Sequence, residues 1–418
     1  MVSRYIINGG KRLDGAVEVQ GSKNSSLPIL AATLLTKGEN ILFNCPSLSD
    51  VDIALRILRF LGCKACVQNG AALVSCDGLN KYDIPDEFMR EMRGSIIFLG
   101  ALLSRCGRAL LSFPGGCELG PRPIDLHLKA LRAMGAEITE RYGIIECRAD
   151  KGLTGAPVAL SFPSVGATEN IILAAVLAKG TTTITNAARE PEIRDLCDYL
   201  TEAGAEIYGA GEGTIVINGV DSLNAVSHSI IPDRIVAATL MSAAAVTGSC
   251  IYLDGISRSH LGSIIPVFVE AGCEIICRDG CMRFKAPERL RAVSLIRTMP
   301  YPGFPTDAQA PVMAMSAVSD GSAVIVENIF ENRFKHVGEL CRLGADINVE
   351  GRVAVVKGVE KLYGACIEAQ ELRGAAGLIV AALAAEGKSE LHGISYLERG
   401  YENFDLTLGS LGADIVKI

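Results

Sequence analysis

The chain has 418 residues and a formal charge of −7, and hydrophobic residues make up 49% of it. This length predicts two domains rather than one core, and the acidic balance argues against a general nucleic-acid binder, which needs a basic surface. No apolar run reaches the roughly 18–20 residues that cross a membrane, and residues 1–10 lack the layout of a signal peptide. We therefore expect a cytoplasmic protein without nucleic-acid or membrane partners.

One short phrase recurs six times along the chain. A helix-like run ends in a glycine between small residues, and in most copies an acidic and a β-branched residue follow. The copies are centred on glycines 68 to 73 residues apart: Gly62, Gly135, Gly204, Gly272, Gly344 and Gly412. A regular spacing of about 70 residues predicts six copies of one folding unit, which divide naturally as three and three.

A second phrase recurs in step with the first. An Ala/Leu-rich helix ends at a glycine or small polar residue and a strand follows, as in the segments that begin at Ile29, Ile172 and Ile379. Glycine is the expected helix stop, because it accepts the left-handed conformation. This helix is apolar nearly all round, which is typical of a buried helix. We predict an α/β fold with helices inside and sheets outside.

The first polar segment that attracts attention is GSKNSS, residues 21–26, directly before a helix at Leu27. Serine and asparagine are good helix N-caps, and capping alone would explain the segment. A helix N-terminus that carries a lysine, here Lys23, is also a natural binding site for an anion. The sequence leaves both interpretations open.

The fourteen cysteines do not indicate a metal site. Cys63 and Cys66 have the spacing of half a zinc site, but no second pair lies at a suitable distance, and positions three apart on a strand face opposite sides. Most other cysteines lie in apolar segments, so we expect them to be buried and reduced.

The loop after the second repeat's strand differs from its counterparts. It reads FPGGCELGPRP, residues 113–123, and it is longer and richer in glycine. Two glycines before Cys117 allow the thiol to move, and Arg122 favours its thiolate form. The alternative is a cysteine that merely lies in a turn. We favour a functional thiol, because this cysteine lies in a polar glycine loop.

A stiff loop with three prolines, residues 299–307, ends at Asp307. This aspartate can cap the helix that begins near Ala308, or it can act as a general base on a rigid loop. Arginines bind carboxylates and phosphates with two parallel hydrogen bonds, although a surface salt bridge is their usual fate. Five of them in polar loops of an acidic chain suggest a polyanionic ligand: Arg93, Arg122, Arg333, Arg373 and Arg399.

Taken together, these segments resemble the UDP-N-acetylglucosamine 1-carboxyvinyltransferase family of enolpyruvyl transferases. The matching motifs are GSKNSSLPIL, PGGCELGPRPIDLH, AAREPEI, PYPGFPTDAQAP, ENRFKH, ELRGAA and ERGYEN, and the match runs essentially end to end. The resemblance implies an inside-out α/β barrel of two three-repeat domains with the active site in the cleft between them. One domain comprises residues 1–20 with 232–418, and residues 21–231, which carry the mobile cysteine loop, form the other.

The resemblance also implies an activity that needs no cofactor or metal. The enolpyruvyl group of phosphoenolpyruvate moves to the 3′-hydroxyl of UDP-N-acetylglucosamine and phosphate leaves, in the first committed step of peptidoglycan synthesis. The chemistry is addition and then elimination through a tetrahedral intermediate. Cys117 matches the family's cysteine that delivers a proton, forms an adduct with phosphoenolpyruvate and is alkylated by fosfomycin. Asp307 matches the proposed base.

The resemblance assigns the other candidate residues to substrate binding. The cations that match the family's phosphoenolpyruvate contacts are Lys23, Arg122 and Arg399. Further arginines that match basic residues of the active site are Arg93, Arg333 and Arg373. The residues that match sugar and uridine-nucleotide contacts are Asn24, Pro123, Asp125, Ser164, Val165 and Gly166.

Two departures and three rival interpretations accompany the resemblance. Phe162 and Pro163 stand where some members have a lysine, and Glu371 stands where aspartate is commoner. The rivals are the sister enzymes that act on shikimate 3-phosphate, a catalytically silent relative that binds UDP-sugar, and a repeat protein without a small-molecule role. The Cys117 loop argues against the first and third, and the full set of candidate residues argues against the second. The oligomeric state stays open, a monomer included.

Overall fold

The computed structural model describes residues 3–68, 70–113 and 124–418, along which helices and strands alternate. The α-helices within these residues are Lys23–Ala32 (α1), Ser49–Phe60 (α2), Asp86–Glu91 (α3), Phe98–Cys106 (α4), Asp125–Ala133 (α5), Val165–Ala175 (α6), Pro191–Glu202 (α7), Arg234–Val246 (α8), Ile265–Glu270 (α9), Gln309–Ala317 (α10), Val337–Arg342 (α11), Leu372–Ala384 (α12) and Phe404–Ser410 (α13). Short 3-10 helices are Thr33–Leu35, Arg93–Ile97, Arg258–Leu261, Thr306–Ala308 and Ile394–Arg399.

The strands are short, mostly of three to five residues. They are Tyr5–Asn8 (β1), Asp14–Glu18 (β2), Thr36–Lys37 (β3), Glu39–Phe43 (β4), Lys64–Gln68 (β5), Ala71–Ser75 (β6), Asp83–Ile84 (β7), Arg108–Ser112 (β8), Glu137–Arg141 (β9), Ile144–Arg148 (β10), Pro157–Ala159 (β11), Thr181–Thr185 (β12), Glu206–Tyr208 (β13), Thr214–Asn218 (β14), Leu223–Asn224 (β15), Ser227–Ser229 (β16), Cys250–Asp254 (β17), Glu274–Arg278 (β18), Cys281–Lys285 (β19), Leu295–Arg297 (β20), Ser322–Val326 (β21), Asp346–Glu350 (β22), Val353–Lys357 (β23), Cys366–Glu368 (β24), Lys388–His392 (β25) and Asp414–Lys417 (β26).

Six four-stranded sheets in the described residues share one design, which confirms the six predicted repeats. In each, an edge strand pairs in parallel with a second strand, and two antiparallel strands complete the sheet. The strand orders are β16-β4-β6-β5, β7-β8-β10-β9, β11-β12-β14-β13, β2-β17-β19-β18, β20-β21-β23-β22 and β24-β25-β1-β26. A buried helix precedes the second strand of each sheet and a further helix follows it.

Strand exchange between distant parts of the chain completes three of the sheets. Strand β1 pairs with β25 and β26, so residues 5–8 supply the third strand of the sixth repeat's sheet. Strand β2 supplies the edge of the fourth repeat, and β16 supplies the edge of the first. The described chain forms two compact units, one of residues 3–20 and 232–418 and the other of residues 21–113 and 124–231.

The six repeat glycines all end a helix in the left-handed conformation. Their φ angles lie between 93° and 107°. The amide after each glycine donates back to the carbonyl five residues earlier, as Ala136 does to Leu131 at 3.0 Å. A side chain is strained at such a φ, so glycine is required at these turns. The predicted helix stop is confirmed.

The apolar helices form the centre of each unit. Helices α8, α10 and α12 pack against one another, and nearly every residue of the three is buried. In the other unit α4 packs on α6 and α1. The closest approaches need glycine, because a Cβ at Gly377 would lie 2.8 Å from the Ala310 carbonyl oxygen and one at Gly100 would lie 2.3 Å from that of Asn170.

This close approach gives the first prediction. The substitution Gly377→Ala is expected to lower the free energy of unfolding by about 1–3 kcal/mol, because the added methyl group must push α12 away from α10. The control is Gly409→Ala, at an exposed position of α13 where a Cβ meets nothing within 4 Å. It is expected to be neutral or to stabilise by up to ~1 kcal/mol. Equal denaturant midpoints for the two variants would contradict the packing argument.

The expectation that most cysteines are buried is wrong for the described part of the chain. Six of the thirteen cysteines there are buried, whereas Cys66, Cys106, Cys341 and Cys366 are exposed. Cys63 is buried and Cys66 is exposed, so the two face opposite sides as predicted. Within the described ranges no three His, Cys, Asp or Glu side chains have an arrangement that could hold a metal ion, and no helix is long and apolar enough to span a membrane.

Candidate active site

The segment that contains Lys23 and Asn24 forms the first turn of α1. The Ser22 hydroxyl caps the helix and accepts from the Ser25 amide at 3.3 Å, which confirms the capping interpretation of this segment. The lysine is not simply solvated, because its Nζ lies 2.7 Å from Oδ2 of Asp50, a buried residue in the first turn of α2. A buried carboxylate therefore fixes the ammonium group at a helix N-terminus.

Asp307 is held by two buried arginines. Its Oδ1 accepts from Arg333 Nη2 at 2.9 Å and its Oδ2 accepts from Arg373 Nη2 at 3.0 Å. The aspartate side chain is 28% exposed, whereas the two arginine side chains are 2% and 3% exposed. No side chain caps the 3-10 helix that contains Asp307 or the start of α10, so the capping alternative for Asp307 is wrong.

The arginines of this cluster are themselves fixed in place. Arg333 Nη2 also donates to the Thr306 carbonyl oxygen at 3.2 Å, and its Nη1 lies 3.6 Å from Glu371 Oε2. Glu371 caps α12 by accepting from the amides of Arg373 and Gly374. Glutamate in place of the commoner aspartate therefore still performs the capping. One rigid cluster thus contains Asp307, Arg333, Glu371 and Arg373.

The charge of Arg373 is retained despite its burial. Burial disfavours the charged guanidinium, but Asp307 and the nearby Tyr401 hold the pKa of Arg373 above its ordinary value. The guanidinium lies over the Tyr401 ring, 5.6 Å from its centre. Arg399 ends the 3-10 helix two residues before this tyrosine and is half-buried. Arg333 and Arg373 are buried, so neither forms the surface salt bridge that is usual for an arginine.

Two of the residues predicted to contact the nucleotide, Asp125 and Gly166, lie near His127. This histidine is buried on α5, and a Cβ at Gly166, in the first turn of α6, would lie 3.2 Å from its Cε1. Burial lowers the pKa of His127 to about 4, Asp125 opposes that shift and Arg93 adds to it. The ring is therefore neutral, and it joins Arg93, Asp125 and the start of α6 in one neighbourhood.

Ser164 and its neighbours begin α6. The Ser164 hydroxyl accepts from the Ala167 amide at 3.4 Å, and Val165 and Gly166 are the first two residues of the helix. Phe162, at the position where some family members have lysine, is 44% exposed. The start of α6 therefore offers backbone N–H groups, which suit an anionic group, without a lysine beside them.

Comparison with known proteins decides the family. A model of the family described as EPSP synthase (3-phosphoshikimate 1-carboxyvinyltransferase) matches residues 7–408. The chain is 48% identical over its whole length to UDP-N-acetylglucosamine 1-carboxyvinyltransferase 2 of Caldanaerobacter subterraneus, and the match covers 100% of both chains. It is 49% identical to UDP-N-acetylglucosamine 1-carboxyvinyltransferase 1 of Carboxydothermus hydrogenoformans, with 100% of this chain and 99% of that one covered. This chain belongs to the EPSP synthase family of enolpyruvyl transferases.

A solved structure of the family shows the same fold. The enolpyruvyl transferase NikO from Streptomyces tendae superimposes with a TM-score of 0.90 at 27% identity, and the match covers 100% of this chain and 99% of that one. The predicted fold class, a two-domain inside-out α/β architecture of repeats, is confirmed. An enolpyruvyl transferase must hold two anionic groups, and each unit of this family member contains a cation beside a buried carboxylate, namely Lys23 beside Asp50 and Arg333 beside Glu371.

Three of the predicted site residues lie outside the described residues: Cys117, Arg122 and Pro123. Of the remaining ones, the structure joins Asp307 to Arg333 and Arg373 in one unit of the enolpyruvyl transferase. In the other unit it places Arg93, Asp125 and Gly166 around His127. Lys23 and Asn24 lie together on the first turn of α1.

Sequence reasoning missed three residues that lie beside the predicted site residues of the two units. Asp50 forms an ion pair with Lys23. The only feature of the sequence that could have pointed to Asp50 is its position after the first repeat's strand. His127 lies within the PGGCELGPRPIDLH motif but carried no signal of its own. His336 is buried beside Arg333 and Glu371, neither ring nitrogen has a hydrogen-bond partner, and burial lowers its pKa to about 4. A neutral ring beside the arginines adds no further positive charge.

Proposed function

We propose that this chain transfers the enolpyruvyl group of phosphoenolpyruvate to the 3′-hydroxyl of UDP-N-acetylglucosamine and releases phosphate. The observation that carries this proposal is the match, over the full length and at nearly half identity, to enzymes named for that carboxyvinyl transfer. The reaction is the first committed step of peptidoglycan synthesis. Because phosphoenolpyruvate and nucleotide sugars are cytoplasmic compounds, we place the activity in the cytoplasm.

The reaction proceeds in two steps whose atoms balance. In the addition, the sugar hydroxyl oxygen bonds to C2 of phosphoenolpyruvate, the hydroxyl proton goes to a base and an acid protonates the C3 methylene group. In the elimination, the C2–O bond to phosphate breaks, C3 returns a proton and the double bond forms again. A positioned acid and base accelerate each such proton transfer. We assign the acid on C3 to Cys117 and the base to Asp307.

The geometry of Asp307 supports its role as the base. An ionised carboxylate has about four lone-pair positions, and the hydrogen bonds from Arg333 and Arg373 occupy one on each oxygen. The carboxylate is 28% exposed, so a substrate hydroxyl can approach it and pass its proton to a carboxylate oxygen. The two guanidinium groups fix its orientation, which is what a base on a rigid framework needs.

The fixed cations support recognition of phosphoenolpyruvate. Its carboxylate and phosphate lie close together, so several positive groups must converge on it. Lys23 at a helix N-terminus suits the phosphate, because the N–H groups and the ammonium group act on the same anion. Arg122 and Arg399 are assigned to the same substrate. These charges also stabilise the oxyanion that develops as phosphate leaves.

The neighbourhood of His127 supports recognition of the nucleotide sugar. We assign the uridine nucleotide to Asp125, the start of α6 and Pro123, and the sugar to Asn24. Phe162 and Pro163 stand where some family members have a lysine, and among the described residues the start of α6 and Arg93 supply positive charge near His127.

The test is phosphate release from phosphoenolpyruvate with either UDP-N-acetylglucosamine or shikimate 3-phosphate as acceptor, for the wild type and Cys117→Ser. Release with UDP-N-acetylglucosamine alone, lost or greatly slowed in the variant, is the expected result. Release with the shikimate acceptor would overturn the acceptor assignment. Folded protein that binds UDP-N-acetylglucosamine without turnover would favour a catalytically silent relative.

A further inference from the structure

A chain of buried polar groups connects the first turn of α1 with α7 and β16. The Ser25 hydroxyl donates to Oδ2 of Asp195 on α7. The other oxygen of that carboxylate, Oδ1, lies 3.0 Å from Nε2 of His228 on β16. The second ring nitrogen of His228, Nδ1, lies 2.9 Å from Glu202 Oε2 at the end of α7. The connection runs from a helix start to the surface.

The centre of this chain is removed from solvent. Asp195 is 3% exposed and His228 is 7% exposed. A buried carboxylate is costly unless donors surround it. Asp195 has three: the Ser25 hydroxyl, His228 and the Ile231 amide, whose nitrogen lies 3.3 Å from Oδ2. The cluster is therefore a satisfied network, and the proposed reaction does not use it.

The network fixes both ends of the turn that contains Lys23 and Asn24. On one side the Ser22 amide donates to the Ile231 carbonyl oxygen at 2.8 Å, and on the other the Ser25 hydroxyl is held by Asp195. Lys23 and Asn24 lie between these two attachments. Small rotations of α1 about its axis would move both side chains, and the attachments oppose such rotations.

We propose that Asp195 and His228 are positioning residues that fix the first turn of α1, and with it the two substrate-binding side chains Lys23 and Asn24. This inference rests on the proposed function, because it concerns how that site is held in its binding geometry. Neither residue touches a reacting atom. Their effect on catalysis passes through Ser25 to the helix start.

The charge state of His228 sets the strength of this anchor. Burial lowers its pKa, but the hydrogen bonds to Asp195 and Glu202 outweigh burial and raise it above its ordinary value. Among the described residues, Asp198 on α7 is a further acidic group that interacts with His228, and Leu42 on β4 and the Tyr199 ring are uncharged neighbours. Below the raised pKa both ring nitrogens donate. As the pH rises through the pKa of His228, the ring loses one proton. It then donates only one of its two hydrogen bonds, to Asp195 or to Glu202.

The experiment compares Ser25→Ala and Asp195→Asn with a control, Tyr199→Phe. The control removes another buried hydrogen bond of α7, the 2.8 Å bond from the Tyr199 hydroxyl to Asn40 Oδ1, and keeps the ring beside His228. Ser25→Ala is expected to raise KM for phosphoenolpyruvate about fivefold, which is ~1 kcal/mol at 1.4 kcal/mol per factor of ten. The value of kcat should change less, and Tyr199→Phe should leave KM as in the wild type.

A pH series tests the role of the histidine. In the wild type KM should rise as the pH passes the raised pKa of His228. The variant His228→Gln keeps a side-chain N–H donor but does not titrate, so this rise should be absent from its profile. A rise of the same size in His228→Gln would overturn the part assigned to His228.

Amide hydrogen exchange of peptides that cover residues 21–32 provides a measurement independent of turnover. Faster exchange at the start of α1 in Ser25→Ala and Asp195→Asn, but not in Tyr199→Phe, is expected. Unchanged exchange and unchanged KM in Ser25→Ala would overturn the proposal, as would equal effects in the control. If exchange changes as expected but the wild type has no turnover with phosphoenolpyruvate, the proposed function fails and the anchoring stands.

Discussion

Asp307→Asn is expected to lower kcat by about 10²–10⁴-fold, the contribution typical of a positioned acid or base. The asparagine amide cannot take the hydroxyl proton, and its NH₂ group faces one of the two arginine donors instead of accepting from it. Since KM depends mainly on the cations, it should change less than kcat. Steady-state phosphate release with both substrates at saturation measures the effect.

Stability must be followed in the same variant, because one buried arginine bond is lost. That loss is expected to cost about 1–3 kcal/mol in the free energy of unfolding. The control Asp346→Asn lies at an exposed position of β22 and should alter neither quantity. An Asp307→Asn enzyme that keeps its fold and at least a tenth of the wild-type kcat would contradict the assignment of Asp307 as the base.

Lys23→Met is expected to have the second large effect, and on two quantities at once. It removes a charge-assisted contact worth about 1.5–3 kcal/mol, so KM for phosphoenolpyruvate should rise roughly 10- to 100-fold. It also leaves the Asp50 carboxylate buried without its lysine, which should lower the free energy of unfolding by about 3 kcal/mol. Kinetics and chemical denaturation of the same preparation measure both.

A double variant separates the two effects of Lys23. Adding Asp50→Asn to Lys23→Met removes the buried carboxylate charge at nearly constant volume, so stability should return most of the way while KM stays high. The surface control is Lys388→Met, which breaks a 2.9 Å ion pair with Glu390 whose partners are 55% and 32% exposed. That change should stay within ~0.5 kcal/mol. Recovery of KM together with stability would show that Lys23 serves the fold alone.

The repeat architecture could be predicted from the sequence because its signal is local. A left-handed helix stop strongly favours glycine because of its own backbone conformation, so Gly135 and Gly344 mark equivalent positions without any knowledge of packing. The all-round apolar composition of α8 and α12 likewise predicted burial. The glycine at the end of a helix and the apolar composition of a buried helix are both patterns within about ten residues. A single sequence therefore shows them directly.

The partners of the candidate site residues could not be predicted, because they are distant in the sequence. Asp307 meets arginines 26 and 66 residues away, and its carboxylate contacts them instead of capping the helix that follows. The cysteine expectation failed for another reason. Cys66 and Cys366 lie at outward-facing positions of strands, where alternation overrides the apolar character of the segment.

The strand exchange described for β1 and β2 has a consequence for the newly made chain. Strand β2 pairs with β17, whose residues follow it by 236 positions in the sequence. Strand β1 pairs with β25 and β26, which are synthesised later still. At a synthesis rate of about 5–20 residues per second, β2 emerges roughly 10–50 s before its partner exists. The unit formed by residues 21–231 has all its strands by then. Strands β1 and β2 are thus synthesised long before the strands that they pair with, and the apolar residues Tyr5 and Ile7 of β1, which are buried in the folded protein, must avoid foreign partners in the meantime.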